Sequence, residues 1–397
     1  MSNYAQFNLS GILINAGPNA IAAIPAELKR LGVKRPLIVT DRGVDEAGIV
    51  DRVKTLLEQA GLSCAVYDGV QTDPLDRMVE EGLAVYCAAD CDGILSVGGG
   101  SSMDTGKCIS IMSAHEGHIL EYSNYARRSS SNYRLFHGRG CPIVAVPTTA
   151  GTGSEVSQAA VITNAQTHRK TTLSTSLFMS SSVVLVPEFT ASMSREITAY
   201  TAMDALSHAI EAYTSKPAIE NDVLLCDAAA LEAIRLIAEN LPAVYDNGQD
   251  LQARAKMQWA ALTAGVALNI CAGESHALGS MLAKYYGVCH GISVGIPLPY
   301  CMEYNLYSSY ARYRRVAEAM GIDTTGMDDK AGAYAAVEAV KALQRRVNFP
   351  RMRDYIKDMT EVEKFSEECA GNSCCVANGR MTTKEAIEQV FRRSMED

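Results

Sequence analysis

The stretch DGILSVGGG, residues 92–100, decides the fold class. Ile94, Leu95 and Val97 lie in a short apolar run that reads as a buried strand, and three glycines end it. Four more runs of this kind surround it: RPLIVT at 35–40, CAVYDGV at 64–70, PIVAVPTT at 142–149 and SVVLVP at 182–187. Between the second of these and the opening stretch, LDRMVEEGLAVYCAA at 75–89 has helical periodicity. Strands that alternate with helices imply a parallel sheet covered on both faces. After about residue 190 the pattern changes to long alanine- and leucine-rich segments at 196–214, 220–241, 250–269, 309–320, 329–346 and 383–394. That half reads as all-helical. Pro187 and the polar stretch to Ser194 mark the boundary, so the expected domains are 1–190 and 191–397. No internal repeat or low-complexity tract interrupts either half.

Composition narrows the function. A chain of 397 residues with 48% apolar and 20% charged residues suits two globular domains. A net charge of −9 and the lack of a basic run argue against nucleic acid. RRSSSNYR at 127–134 comes nearest to one and reads as a solvated loop. No apolar run reaches the roughly 18 residues of a membrane helix. The start, MSNYAQFNLSGILIN, lacks the basic and apolar segments of a secretory signal, so a cytoplasmic location is expected. The twelve cysteines are scattered and read as reduced thiols, mostly small core residues. Cys87 and Cys91 are four apart and Cys374 and Cys375 adjacent, without a second pair in ribbon-like spacing. Cys289 adjoins His290 and would be oxidation-sensitive beside an open metal site.

The chemistry concentrates in a few places. Gly98, Gly99 and Gly100 stand between a strand and a helix starting near Ser101. Backbone without side chains can approach a phosphate, and a helix start offers free N–H groups. Ser101-x-x-Asp104 resembles a capping box. The alternative is a plain glycine turn. A second polar loop, Thr148-Thr149-Ala150-Gly151-Thr152-Gly153-Ser154-Glu155, follows the strand at 142–147 and suits contact with phosphate or ribose, or else is a turn with an N-cap. Asp41 ends the strand at 36–40. There it can accept hydrogen bonds from ribose hydroxyls and repel a 2′-phosphate, favouring NAD(H) over NADP(H), unless it is only a turn aspartate before Gly43.

The chain holds seven histidines, and three of them, His208, His276 and His290, fall near Asp204 in one region of the C-terminal half. Asp204 and His208 are four apart and share a helix face. One carboxylate and three imidazoles suit a divalent metal acting as a Lewis acid. Thr201-x-x-Asp204 also fits a capping box, and any one histidine taken alone reads as a satisfied core residue. Four together are harder to explain that way, because unpaired polar groups are costly to bury. His115 and His118 read as members of a solvated loop.

These stretches resemble the iron-containing, or group III, alcohol dehydrogenases over essentially the whole chain. The matching segments are VTDRG at 39–43, GGGSSMDTGK at 98–107, TTAGTGSE at 148–155, MDALSHAIEAY at 203–213 and the His276 to His290 segment. The likeness is strongest to the branch holding 1,3-propanediol dehydrogenase and lactaldehyde reductase. It implies a dinucleotide-binding α/β domain followed by an all-α metal-binding domain, the fold shared with dehydroquinate synthase. It also implies that Asp204, His208, His276 and His290 hold one divalent metal, Fe(2+) or Zn(2+). By the same resemblance, Asp41, the glycines with Ser101 and Ser102, Thr148, Thr149, Thr152 and Lys170 contact NAD(H). A homo-oligomer, a dimer or multiple of dimers, is expected.

The chain departs from the family where a second imidazole usually follows the third ligand by four residues. Ser280 stands there, which does not titrate near neutral pH, so any proton route must use its hydroxyl, water or the cofactor ribose. Glu274 and Ser275 replace apolar or aromatic residues, and Asn378-Gly379-Arg380 replaces asparagine-proline-arginine. The expected activity is NAD(H)-dependent interconversion of a small polar alcohol and its aldehyde. 1,3-Propanediol with 3-hydroxypropanal, lactaldehyde with propanediol, and sulfoacetaldehyde with isethionate are the candidate pairs. Two other readings stand beside it: a lyase on the dehydroquinate synthase-like scaffold, which would show no net NADH change, and a non-catalytic nucleotide-binding protein.

Overall fold

The computed structural model describes residues 5–9, 11–129, 132–221 and 223–396. Among these, nine strands form: β1 (Ala5–Leu9), β2 (Ile12–Ala16), β3 (Pro36–Asp41), β4 (Ala65–Val70), β5 (Gly93–Gly98), β6 (Ile143–Pro147), β7 (Ala159–Thr163), β8 (Lys170–Ser174) and β9 (Ser182–Leu185). Seven build one sheet in the order β1-β2-β9-β6-β5-β3-β4, and β7 and β8 make a separate antiparallel pair. Within the large sheet only β1 and β2 run antiparallel.

The parallel strands are apolar on both faces because helices cover both. In β3, Leu37 and Val39 join one buried cluster while Ile38 joins the other. In β5, Ile94 goes to the first and Leu95 and Val97 to the second. Side chains alternate across a strand, so burial on two sides needs an unbroken apolar run, which DGILSVGGG supplies.

The chain divides into two compact units. One is Met1–Thr149 with Ser154–Ser192, and the other is Ala150–Gly153 with Met193–Asp397. The second is helical. Its helix Arg195–Tyr213 starts at Ser194, whose hydroxyl accepts from the Ile197 N–H at 3.2 Å. From Ala202 to Tyr213 this helix is buried on every side, which explains its alanine-rich sequence without a polar stripe. Gly153, at φ +60°, lies against Gly265 of the helix Leu251–Leu268, and a side chain on either would overlap the other's backbone.

Several local expectations are corrected. The helix after the glycine turn begins at Gly100, with Gly99 as its N-cap and without a side-chain cap. Asp104 therefore lies beyond the cap box position, and its carboxylate accepts from Ser154 Oγ at 2.6 Å and the Val161 N–H at 2.8 Å. Thr201 and Asp204 sit inside a helix that started six residues before Thr201, so no capping box forms there either. Within the expected helix 220–241, the structure has two, Lys216–Glu220 and Leu224–Asp246. Of the stretch at 127–134, Arg127–Ser129 end a helix that begins at Asn124, while Ser130 and Ser131 lie outside the described residues. His115 does lie in a loop, as expected, but not in a solvated one. It is buried, donates from Nδ1 to the Ile111 carbonyl at 2.8 Å and accepts the His137 N–H at Nε2 at 3.1 Å.

Candidate functional site

In the first unit, β4 lies outside β3 while β6 and β9 lie beyond β5, so the strand order reverses between β3 and β5. In open α/β sheets nucleotides bind at the carboxyl ends of the strands at such a point. Asp41 ends β3, Gly98 ends β5, and Thr148 and Thr149 follow β6. The Thr148 N–H donates to the Gly98 carbonyl at 2.9 Å, which ties two of these ends together. A Cβ on Gly98 would overlap the hydroxyl of buried Ser102, so only glycine fits. Ser101 is half-buried at the first turn, where the uncapped helix presents its N–H groups.

Asp41 does two things. Its Oδ1 caps the helix Arg42–Glu46 by accepting from the Val44 N–H at 3.1 Å, and its Oδ2 lies 3.5 Å from Ser102 Oγ. Thr152 belongs to the short Ala150–Gly153 segment of the second unit. Lys170, at the start of β8, pairs with Asp73 at 2.6 Å. Sequence reading passed over Lys107, which is 1% exposed. Its ammonium donates to Ser154 Oγ and the Ala159 carbonyl at 2.8 Å and to the Ser157 carbonyl at 3.1 Å. With Asp104, it fastens the end of the threonine loop to the helix that starts at the glycines. The i, i+3 spacing of Asp104 and Lys107 on that helix was the available signal.

In the second unit, the helix Arg195–Tyr213 places Asp204 and His208 on one face. His276 lies in the first turn of the helix Glu274–Tyr286, and His290 begins the helix His290–Gly295. These elements bring three imidazole Nε2 atoms around one oxygen. Asp204 Oδ1 is 3.8 Å from His208 Nε2, 3.7 Å from His276 Nε2 and 3.5 Å from His290 Nε2. The ligand atoms of Asp204, His276 and His290 all lie within 4.8 Å of one another. His208 and His276 stack with ring centres 4.6 Å apart.

Such spacings are long for hydrogen bonds. Asp204 Oδ1 and His276 Nε2 are indeed buried without a hydrogen-bond partner. Metal bonds of about 2.0–2.2 Å to a common tetrahedral centre would put ligand atoms roughly 3.3–3.6 Å apart. The donor set of Asp204, His276 and His290 and its spacing therefore fit one divalent metal, with His208 Nε2 3.8 Å from the same Asp204 oxygen. His290 is the open side, its side chain 39% exposed, while the other three are buried.

The charges are set by burial and by the members of the cluster themselves. Burial opposes ionisation of Asp204, but the fields of His208, His290 and His276 together outweigh it and hold the carboxyl below its usual range. Burial pushes His208 down to about 4, so its ring is neutral and has a free lone pair. For His276 burial works against charge, yet Glu211 and Asp204 overcome it and raise its pKa to about 10, so a metal at Nε2 would have to displace a proton there. Glu211 touches His276 and was missed in the sequence, although Asp204, His208 and Glu211 follow the i, i+4, i+7 rule for one helix face. Ser280 Oγ donates to the His276 carbonyl at 2.9 Å, along its own helix. Burial pushes Glu274 up to about 8; its Oε2 accepts from Asn305 at 2.9 Å and Asn378 at 3.4 Å.

Residues 13–187 match the family model for iron-containing alcohol dehydrogenase. Residues 198–395 match that for the Fe-containing alcohol dehydrogenase family, C-terminal. The chain is 36% identical to 1,3-propanediol dehydrogenase of Klebsiella pneumoniae over 95% of its own length and 96% of the relative's. It is 32% identical to NAD-dependent methanol dehydrogenase of Bacillus methanolicus, covering 96% of this chain and 97% of that one. The crystal structure of 1,3-propanediol oxidoreductase superposes with a TM-score of 0.91 at 36% identity, covering 99% of this chain and 100% of that one. The α/β unit with its parallel sheet and the helical unit are thus those of a known architecture, and the chain belongs to the iron-containing alcohol dehydrogenase family.

Proposed function

We propose that this protein is an NAD(H)-dependent, metal-dependent oxidoreductase that interconverts a small polar primary alcohol and its aldehyde. The observation that carries this reading is the carboxylate oxygen of Asp204 ringed by three imidazole nitrogens at 3.5–3.8 Å without a hydrogen bond. Asp204, His208, His276 and His290 would hold Fe(2+) or Zn(2+). A divalent ion so held is a Lewis acid that stabilises negative charge on an alcohol or carbonyl oxygen. NAD(H) carries the hydride, and the protein supplies binding, orientation and charge.

The chain's own residues divide that work. Asp204 contributes the one anionic ligand, and His208 binds in its neutral form. In the first unit, Gly98, Gly99 and Gly100 with Ser101 and Ser102 would cradle the pyrophosphate at an uncapped helix start. Thr148 and Thr149 flank that cradle and Thr152 follows in the same loop. Asp41 Oδ2 would accept from a ribose hydroxyl, since Oδ1 is used in capping and Oδ2 meets Ser102 Oγ only at 3.5 Å. Lys170 would reach the cofactor only by leaving Asp73. Ser280 could pass a proton only when its hydroxyl turns away from the His276 carbonyl.

The candidate pairs remain 1,3-propanediol with 3-hydroxypropanal, lactaldehyde with propanediol, and sulfoacetaldehyde with isethionate. Among the described residues no helix is long and apolar enough to cross a membrane. We propose a cytoplasmic homo-oligomer, built from dimers. The test is a panel of small aldehydes with NADH, run on protein stripped by a chelator and reloaded with iron or zinc. Metal-dependent NADH loss with at least one aldehyde is expected. Turnover that survives complete metal removal, or none with any aldehyde in the loaded protein, would refute the reading.

A further inference from the structure

Glu211 is buried, 8% exposed, and both of its oxygens face the start of the helix Glu274–Tyr286. Oε1 accepts the Ser275 N–H at 2.5 Å and the His276 N–H at 3.3 Å. Oε2 contacts His276 Nδ1. These amides belong to a helix start without a side-chain cap of its own, so Glu211 satisfies donors that would otherwise be stranded inside the protein. Gly273 leaves room for this: a Cβ there would stand 3.1 Å from Glu211 Oε1.

A neutral imidazole carries one N–H. Giving it to Glu211 through Nδ1 leaves the Nε2 lone pair directed at the Asp204 oxygen 3.7 Å away. His208 has no such anchor, because its Nδ1 is buried without a hydrogen-bond partner. The two stacked rings therefore differ: one is fixed in tautomer and orientation, and the other is fixed by packing alone. Glu211 also shares its helix with Asp204 and His208, so a single side chain joins the element bearing two of the donors to the element bearing the third.

We propose that Glu211 is a positioning residue for the metal centre, setting the tautomer of His276 and its distance from the Asp204–His208 pair. This rests on the metal-site reading above. Partners of this kind typically change metal affinity by about 10–100-fold when replaced.

The test uses Zn(II) affinity, measured in competition with a chromophoric chelator, and the visible spectrum of the Co(II)-loaded protein. Glu211→Gln keeps size and an acceptor oxygen but can turn an amide N–H toward Nδ1, which would favour the tautomer with its proton on Nε2. Zn(II) affinity is expected to fall about 10–100-fold. The Co(II) bands should shift, while NADH affinity and the melting temperature of metal-free protein stay at wild type. A folded Glu211→Gln protein with wild-type Zn(II) affinity and Co(II) spectrum overturns the proposal. If that variant does not fold, Gly273→Ala decides, since its nearest neighbours are all atoms of the Glu211 side chain: weaker Zn(II) binding supports the proposal and unchanged binding overturns it. His290→Ala separates the two levels of inference. If it loses Zn(II) while Glu211→Gln does not, only the role of Glu211 falls. If wild type binds neither ion, the metal site itself falls.

Discussion

The two units build their candidate sites from opposite materials. At the carboxyl edge of β5 the chain removes side chains, and three glycines expose backbone N–H groups at a helix start. In the helical unit it does the reverse. Asp204, His208 and His276 are ionisable side chains placed where burial is nearly complete, at 3%, 4% and 8% exposure. The first arrangement suits a large anion that brings its own charge. The second suits a small cation, since it gathers one anion and several lone pairs that lack other partners. The lesson is that backbone and side-chain sites should fail independently.

His208→Ala should give the largest effect. Metal content is expected to fall to near zero and kcat by roughly 10³-fold, about 4 kcal/mol of barrier, with NADH affinity unchanged. Metal analysis and NADH titration on one preparation would show this, and a parallel loss of NADH binding would break the comparison.

Glu155, at the end of the threonine loop, sharpens it. This carboxyl is buried, and burial pushes it up to about 7. A raised folded value means the folded state holds its proton longer than the unfolded chain. Its contribution to stability is thus full below the unfolded value near 4.5 and is lost as pH rises to about 7. Glu155→Gln should match wild type at low pH and exceed it by up to about 3 kcal/mol above pH 7. Urea unfolding across that range measures it, and parallel curves for the two proteins would contradict the account.

Gly98→Val should raise the KM for NADH about 10–100-fold, or 1.4–2.8 kcal/mol, because its side chain must displace Ser102. Metal content should stay normal. The smallest effect is expected from Asp41→Ala, which removes an anion from the β3 end and should improve NADPH use relative to NADH by about 10-fold, near 1.4 kcal/mol. An unchanged cofactor ratio would remove Asp41 from the ribose site.

The strands that carry the first site were legible because burial on two faces demands continuous apolar runs, as in β3, β5, β6 and β9. The β7–β8 pair was not: KTTLS exposes alternate residues and is mostly polar. In β2, buried Asn15 interrupts the apolar signal. The helix bearing Asp204 and His208 was placed within a residue at each end, yet nothing in its alanine-rich sequence showed which side faces His276, since all sides are buried. The Ser101 capping box misled because its pattern falls inside a helix that has already begun at Gly100, and the alternative reading of Thr201-x-x-Asp204 as a box fails for the same reason. His115 was misjudged as solvated because the residues that bury it, Tyr122 and Phe136 among them, come later in the chain than the polar HEGH loop in which it lies. Glu211 was within reach of the periodicity that paired Asp204 with His208, but its partners, Ser275 and His276, lie more than sixty residues on.

The most direct measurement is NADH oxidation by one protein preparation in three states: as purified, stripped of metal, and reloaded with Fe(II) or Zn(II), each with the aldehyde panel and with a parallel NADH-binding titration. Stripping should abolish turnover while NADH still binds, and reloading should restore turnover. Turnover that persists without metal, or NADH binding that disappears with it, would contradict the division of labour between the glycine cradle and the Asp204 cluster.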